Sequence, residues 1–136
     1  MPYPPSIPLR ARCGFTIIEV IVVVIIIGLM LLIVVPHFFS ELKTRKAGRI
    51  KEDLITLNSA IEHYALDNGK VGGIQPSYAD LRKYLDPKSD IFQHNGKDVF
   101  GESYGPFTIG TRPSVPPQAA AKLSDVVSQD FWSPFQ

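Results

Sequence analysis

The sequence predicts an α+β fold in which one long N-terminal helix, with a membrane half and an amphipathic half, packs against a small antiparallel β-sheet and a short helix. Three observations predict it. An apolar run extends from Phe15 to Val35, apolar residues then recur at steps of three and four up to Tyr64, and apolar residues alternate with polar ones between 97 and 109. Steps of three and four are typical of a helix face, and steps of two are typical of a strand.

The apolar run is long enough to cross a membrane. At 1.5 Å per residue a helix from Phe15 to Val35 spans about 30 Å, the thickness of the hydrocarbon core. Arg10 and Arg12 precede the run, which favours a cytoplasmic N-terminus and an external C-terminal region. Because Cys13 also precedes the run, it does not fit a lipoprotein signal, and as the single cysteine it forms no disulfide within the chain.

An amphipathic helix continues beyond Pro36, which we expect to bend it. The predicted helix extends from about Phe15 to about Asn68 and ends at Gly69 in a left-handed cap. Asp53 is expected on the polar side of this helix. The apolar face comprises Ile50, Leu54, Leu57, Ile61 and Tyr64.

The C-terminal half contains signals for short elements. Ser77 is placed as an N-cap with Asp80 three residues later, which predicts a short helix over 78–85. The alternating segment predicts a hairpin of strands near 97–100 and 104–109. The aromatic residues near the end of the chain, expected to be core or subunit contacts, are Phe131, Trp132 and Phe135.

The composition and motifs favour neither nucleic-acid binding nor catalysis. The chain has 136 residues and a net charge of +1, which gives no footprint for nucleic acid. Residues 101–105 match Gly-x-Ser-x-Gly, but no histidine follows Ser103, so the segment is interpreted as a turn and the chain as no enzyme. The three histidines do not have the spacing of metal ligands; they are His37, His63 and His94. The densest basic stretch, typical of a solvated or headgroup-facing helix, comprises Lys43, Arg45, Lys46, Arg49 and Lys51.

The string Gly14-Phe15-Thr16-Ile17-Ile18-Glu19-Val20 resembles the cleavage and N-methylation motif of type IV prepilins and type II secretion pseudopilins. The resemblance implies that a membrane prepilin peptidase cleaves between Gly14 and Phe15 and that the new Phe15 amine is methylated. It also implies that Glu19 pairs with the N-terminus of a neighbouring subunit during assembly. Such a pair would explain a carboxylate in an apolar run, where a central acidic residue costs about 2.5–3.5 kcal/mol.

Two further segments resemble the major pseudopilin of type II secretion systems. Residues 66–69 are similar to its Asp-Asn-Gly turn, although Lys-Val follows here in place of Tyr-Pro, and residues 97–104 are loosely similar to its Lys-Asp-Pro-Trp-Gly-Asn-Pro-Tyr segment. That family commonly binds calcium in its last loop. The resemblance therefore makes Asp125 and Asp130 candidate calcium ligands; otherwise Asp125 caps a turn and Asp130 is solvated. No other cofactor is expected.

Together these features imply a structural subunit of a helical membrane-anchored filament, the pseudopilus of a type II secretion system. A type IV pilus subunit and a single-pass membrane-anchored binding protein are the alternatives. The expected location is the bacterial inner membrane, with the C-terminal region and the filament in the periplasm. The expected partners are further copies of the chain, minor pseudopilins, the prepilin peptidase, a membrane platform protein with its assembly ATPase, and the lipid bilayer. The expected divisions are a leader at 1–14, a transmembrane helix at 15–35, its amphipathic continuation at 36–69 and a small globular region at 70–136.

Overall fold

The computed structural model describes residues 14–136, so the leader up to Cys13, including Arg10 and Arg12, lies outside the described residues. One long helix is followed by short helices and loops, and the chain divides into two compact units at His37 and Phe38. The helices are α1 (Ile17–Asp67), α2 (Tyr78–Leu81), α3 (Asp90–Gln93) and α4 (Pro117–Leu123), with 3₁₀ turns at Arg82–Tyr84 and Gln129–Trp132.

Helix α1 has nearly the predicted bounds and the predicted apolar face. Ile50, Leu54, Leu57, Ile61 and Tyr64 are all buried. The helix ends as the sequence indicates, because Gly69 has a φ of 58°, and a side chain there would be strained. The N–H of Lys70 donates to the carbonyl of Ala65 at 3.0 Å, so the last turn closes in a Schellman motif.

The short helix after residue 77 is also confirmed. The Ser77 side chain accepts a hydrogen bond from the Asp80 N–H, and the Asp80 carboxylate accepts one from the Ser77 N–H at 3.0 Å, which is a complete capping box. Helix α2 then continues as the 3₁₀ turn Arg82–Tyr84. This segment buries Leu81 and Leu85.

The predicted antiparallel sheet is wrong, and with it the α+β fold class. Within residues 14–136 no β-strand forms, and the pairing between the two predicted strands is a single antiparallel bridge from Lys97 to Ser103. The Asp98 carboxylate explains the difference, because one of its oxygens accepts the N–H groups of Phe100 and Glu102 at 2.8 Å each. A short acidic side chain thus closes a compact loop in place of a ladder.

The second predicted strand fails for a backbone reason. Gly105 has a φ of 127°, and Pro106 has no N–H to donate to a ladder. Only Ile109 makes a reciprocal backbone contact: its N–H donates to Ile74 at 2.9 Å and its carbonyl accepts from Gly73 at 3.1 Å. The segment therefore lies against the chain as an irregular loop that still points Tyr104, Phe107 and Ile109 into the core.

The core of residues 38–136 lies on one face of α1. Each later segment contributes a few buried side chains to it, and the two terminal aromatic residues Trp132 and Phe135 are among them, as expected. The buried residues supplied from beyond α1 are Leu81, Leu85, Ile91, Tyr104, Phe107, Ile109, Ala119, Leu123, Trp132 and Phe135. Since the covering segments are short, the apolar face of α1 is the element against which they are ordered.

One acidic residue lies in this core, where the sequence predicted a polar surface position. Asp53 is only 6% exposed, and its carboxylate accepts a hydrogen bond from the Tyr104 hydroxyl at 3.0 Å. Burial raises the pKa of Asp53 to about 6, with the charges of Asp90 and Glu52 acting in the same direction, while the hydrogen bond from Tyr104 and the nearby His94 oppose it. Burial and the Asp53 charge likewise raise the pKa of Tyr104.

Replacing Leu54 by Ala should lower the free energy of unfolding of this unit by about 2–4 kcal/mol, because the side chain is fully buried on α1 and leaves a cavity. Ile55→Ala is the matched control, since the next side chain along the helix is 52% exposed. Urea unfolding of the full chain in detergent micelles, followed by the fluorescence of the single tryptophan Trp132, measures both. Equal destabilisation by the two variants would contradict the assigned helix face.

Replacing Asp53 by Asn should stabilise the fold at pH 7.5 and have little effect at pH 4. The folded pKa of Asp53 is raised, so its contribution to stability is fully present below the unfolded value and is lost as pH rises through about 6. The asparagine oxygen still accepts from Tyr104 but carries no charge. We expect a gain of about 1–2 kcal/mol at pH 7.5, measured by the same unfolding assay. Asp130→Asn, at an exposed carboxylate, is the control. A variant less stable than the wild type at pH 7.5 would contradict this account.

Candidate functional site

The candidate processing site lies just before α1 and is open to solvent. Gly14, Phe15 and Thr16 precede the helix, and Phe15 is 75% exposed. A Cβ added at Gly14 would meet no atom within 4 Å. Nothing among the described residues of this chain therefore requires glycine at position 14, and the Gly14–Phe15 bond is accessible to another protein.

Thr16 caps the helix and was not singled out from the sequence. Its side-chain oxygen accepts a hydrogen bond from the N–H of Glu19 at 3.4 Å, and its carbonyl accepts from the same group at 3.0 Å. The signal was present, because Thr-x-x-Glu has the spacing of a capping box. Glu19 consequently lies in the first turn of α1, where the helix dipole favours a negative charge.

The apolar run forms the first part of α1 and is exposed along its length. The helix contains a window with a mean hydropathy of 3.4, none of it buried, and by length and composition it can span a membrane. Leaving so many large apolar side chains in water is unfavourable at about 25 cal/mol per Å². This segment therefore needs lipid or other protein around it. The helix continues through Pro36, and the bend expected there stays a prediction.

The two candidate calcium ligands occupy different surroundings. Asp125 accepts a hydrogen bond from the Lys43 ammonium at 2.5 Å, and this bond lowers the pKa of the Asp125 carboxyl. Asp130 is exposed in the first turn of the 3₁₀ segment Gln129–Trp132. Across residues 14–136 there is no group of three or more acidic, histidine or cysteine side chains placed to hold a metal. Calcium binding stays a prediction, and it would have to compete with Lys43.

The remaining motifs take up no catalytic arrangement in the described chain. Ser103 lies in the bridge to Lys97, and neither a strand before it nor a helix after it adjoins the turn at 101–105. A nucleophile elbow needs both. The three histidines are exposed, and none belongs to a metal-holding group among residues 14–136; they are His37, His63 and His94.

Comparison with known families agrees with the open site and the apolar helix. Residues 9–35 match the prokaryotic N-terminal methylation motif. The match includes the Gly14–Phe15 bond, Glu19 and the whole apolar run, and it indicates a subunit of the type IV pilin-like class, to which pseudopilins also belong. It does not distinguish a pilus from a pseudopilus. Neither a curated protein nor a solved structure was found that matches the chain.

Proposed function

We propose that this chain is a structural subunit of a helical, membrane-anchored filament, the pseudopilus of a type II secretion system, and that it assembles after prepilin peptidase cleavage. The observation that carries the proposal is the methylation motif at residues 9–35. Two properties of the molecule support it: the exposed Gly14–Phe15 segment and the uncovered apolar half of α1. The chain itself catalyses nothing; a cytoplasmic ATPase acting through a membrane platform protein supplies the energy for assembly.

Processing would give Glu19 a partner of opposite charge. A carboxylate at the centre of a membrane helix costs about 2.5–3.5 kcal/mol and less near the interface, whereas the helix dipole returns about 0.3–1 kcal/mol to an acidic residue in the first turn. The position of Glu19 in the first turn of α1 therefore offsets part of the cost. Cleavage after Gly14 creates a charged amine on Phe15, and the amine of a neighbouring copy can pair with Glu19. This pair fixes the axial register between subunits in our proposal.

The choice of a pseudopilus over a pilus has narrower support. The chain has a single cysteine at position 13, in the part that would be removed, so the mature subunit lacks the cysteine pair of a typical adhesive pilin. The loose similarity of residues 97–104 to the major pseudopilin points the same way. A pilus subunit is the second candidate, because the same motif and apolar helix serve both filaments.

We further propose that the N-terminus is cytoplasmic and the C-terminal region periplasmic. Arg10 and Arg12 favour this orientation. The basic residues between 43 and 51 would oppose it if the lysines and arginines on the two sides of the membrane helix were simply counted. That count applies to short loops of up to about 60 residues, since longer domains translocate largely regardless of charge. The region 36–136 exceeds that length, so the charges before the helix decide the orientation.

Gly14→Ala should leave the chain uncleaved. Because a Cβ at Gly14 contacts none of the residues from 14 onward, we expect any loss of processing to arise from a clash of the added methyl group with the peptidase. Gly28→Ala is the matched control, since Gly28 also has open space and lies within the apolar helix. Intact mass measurements on membranes from cells that contain the peptidase should show full-length Gly14→Ala and mature Gly28→Ala. Normal maturation of Gly14→Ala would contradict the proposed processing.

Glu19→Val and Glu19→Gln should insert into the membrane and be cleaved, but they should assemble poorly because the subunit amine loses its anionic partner. Glu19→Asp keeps the charge and should retain more assembly than Glu19→Gln. Carbonate extraction measures insertion, and electron microscopy with quantification of sheared filaments measures assembly. Wild-type filament yield from Glu19→Val would rule out charge pairing as the determinant of register.

A further inference from the structure

Two lysines from different helices converge on one aromatic ring. The ammonium of Lys46, on α1, lies 5.2 Å from the centroid of the Phe100 ring, and the ammonium of Lys122, in the last turn of α4, lies 4.9 Å from it. Both distances are within the range of about 6 Å in which a cation interacts with a ring face. Phe100 is half-buried in the loop closed by Asp98, and both ammonium groups lie over its ring.

These two ammonium groups differ from the other cations nearby. Lys43 pairs with Asp125, Arg45 with Glu41 and Arg49 with Asp90, while the Lys51 ammonium donates to the carbonyl of Phe131 at 2.8 Å. Within residues 14–136 no carboxylate lies within ion-pair distance of Lys46 or Lys122. Their distances to the same ring centroid place the two ammonium groups at most about 10 Å apart. Two positive charges at this range without a counterion produce a local positive potential that attracts an anion.

The position of this pair on the chain indicates which anion. Phe38 and Phe39 are each 59% exposed and lie about two turns before Lys46 on α1. The exposed Leu42 lies between Phe39 and Lys46. Apolar side chains such as Phe and Leu insert at the boundary between the headgroups and the acyl chains, and lysines just beyond them extend toward the phosphates. Along the helix Lys46 lies about 10 Å beyond Phe39. A flexible lysine side chain can reach the headgroup layer from that distance.

We propose that Lys46, Lys122 and Phe100 form a binding surface for the phosphate groups of anionic phospholipids, which holds the C-terminal unit at the membrane surface before the subunit is assembled. The surface joins a residue of α1 to a residue of α4, so a bound headgroup also ties these two elements together. The inference rests on membrane anchorage, which belongs to the proposed function, but not on the kind of filament that forms. The competing occupant is a carboxylate surface on a second copy of the chain.

The test uses the full chain in nanodiscs that contain equal amounts of phosphatidylglycerol and phosphatidylcholine, one copy per disc. Native mass spectrometry counts the lipids of each type that remain bound after release from the disc. The variant is Lys46→Gln with Lys122→Gln. Its matched control is Lys83→Gln with Lys88→Gln, which removes the same charge from two exposed lysines outside the loop that contains Phe100. Trp132 fluorescence verifies that each variant is folded.

In the wild type and the control, the ratio of bound phosphatidylglycerol to bound phosphatidylcholine should be about three- to tenfold higher than in the Lys46/Lys122 variant. Inorganic phosphate added at millimolar concentration should not remove this preference. Equal preference in all three proteins would overturn the proposal, and so would an equal loss in both variants, which would indicate only net charge.

Displacement of the lipid by inorganic phosphate would indicate a site for the free anion and would also overturn the proposal. A third outcome combines two results: carbodiimide cross-links Lys46 or Lys122 to a second copy in assembled filaments, and the nanodiscs show no lipid preference. This outcome would assign the surface to contact between subunits and would overturn the proposal. Failure of the chain to enter nanodiscs at all would instead contradict membrane anchorage, and with it the proposed function. The outcomes therefore separate the two proposals.

Discussion

The structure depends on one constraint: α1 carries two apolar surfaces of different extent, and residues 14–136 cover only one of them. From residue 47 onward the helix buries a single face against the C-terminal segments. Before Pro36 it is apolar on all sides and exposed along its length. An all-round apolar helix is stable only within lipid or among other helices. The uncovered half therefore needs lipid or other helices around it, whereas the short C-terminal elements cover the other half.

Glu19 is the residue at which these two requirements meet. It lies in the first turn of the uncovered half, and its backbone N–H is held by Thr16. The dipole of the helix offsets only part of the cost of a charge in lipid. In the proposed filament, the rest comes from the amine that cleavage creates at Phe15 of another copy. The same reaction would then remove the leader and supply the counterion.

Elements set by local chemistry could be predicted from the sequence. The end of α1 at Gly69 and the start of α2 at Ser77 each depend on side chains within a few residues, and both were predicted correctly. The sheet could not be predicted correctly, because alternating apolar residues do not reveal whether a ladder partner is available. The Asp98 carboxylate accepts two backbone N–H groups that a ladder would have used, and Pro106 has no backbone N–H to donate.

Long-range contacts explain the other differences. The charge of Asp53 led to its assignment to the polar side of α1, although it lies three residues after Ile50 and four before Leu57, on the buried face. Its hydrogen-bond partner Tyr104 comes from residues far along the chain. The convergence of Lys46 and Lys122 on Phe100 could not be predicted from the sequence, because the three residues are far apart along the chain. The processing segment differs, because its motif is contiguous: Gly14, Phe15 and Glu19 could be selected as candidate residues from the sequence alone.

The central claim is that this chain is processed between Gly14 and Phe15 before it acts as a subunit. The most direct test is the intact mass and N-terminal sequence of the protein isolated from the membranes of its own host. The account predicts a mature chain that begins at N-methylated Phe15. A chain that still begins at Met1 would leave Glu19 without its proposed partner and would contradict the account.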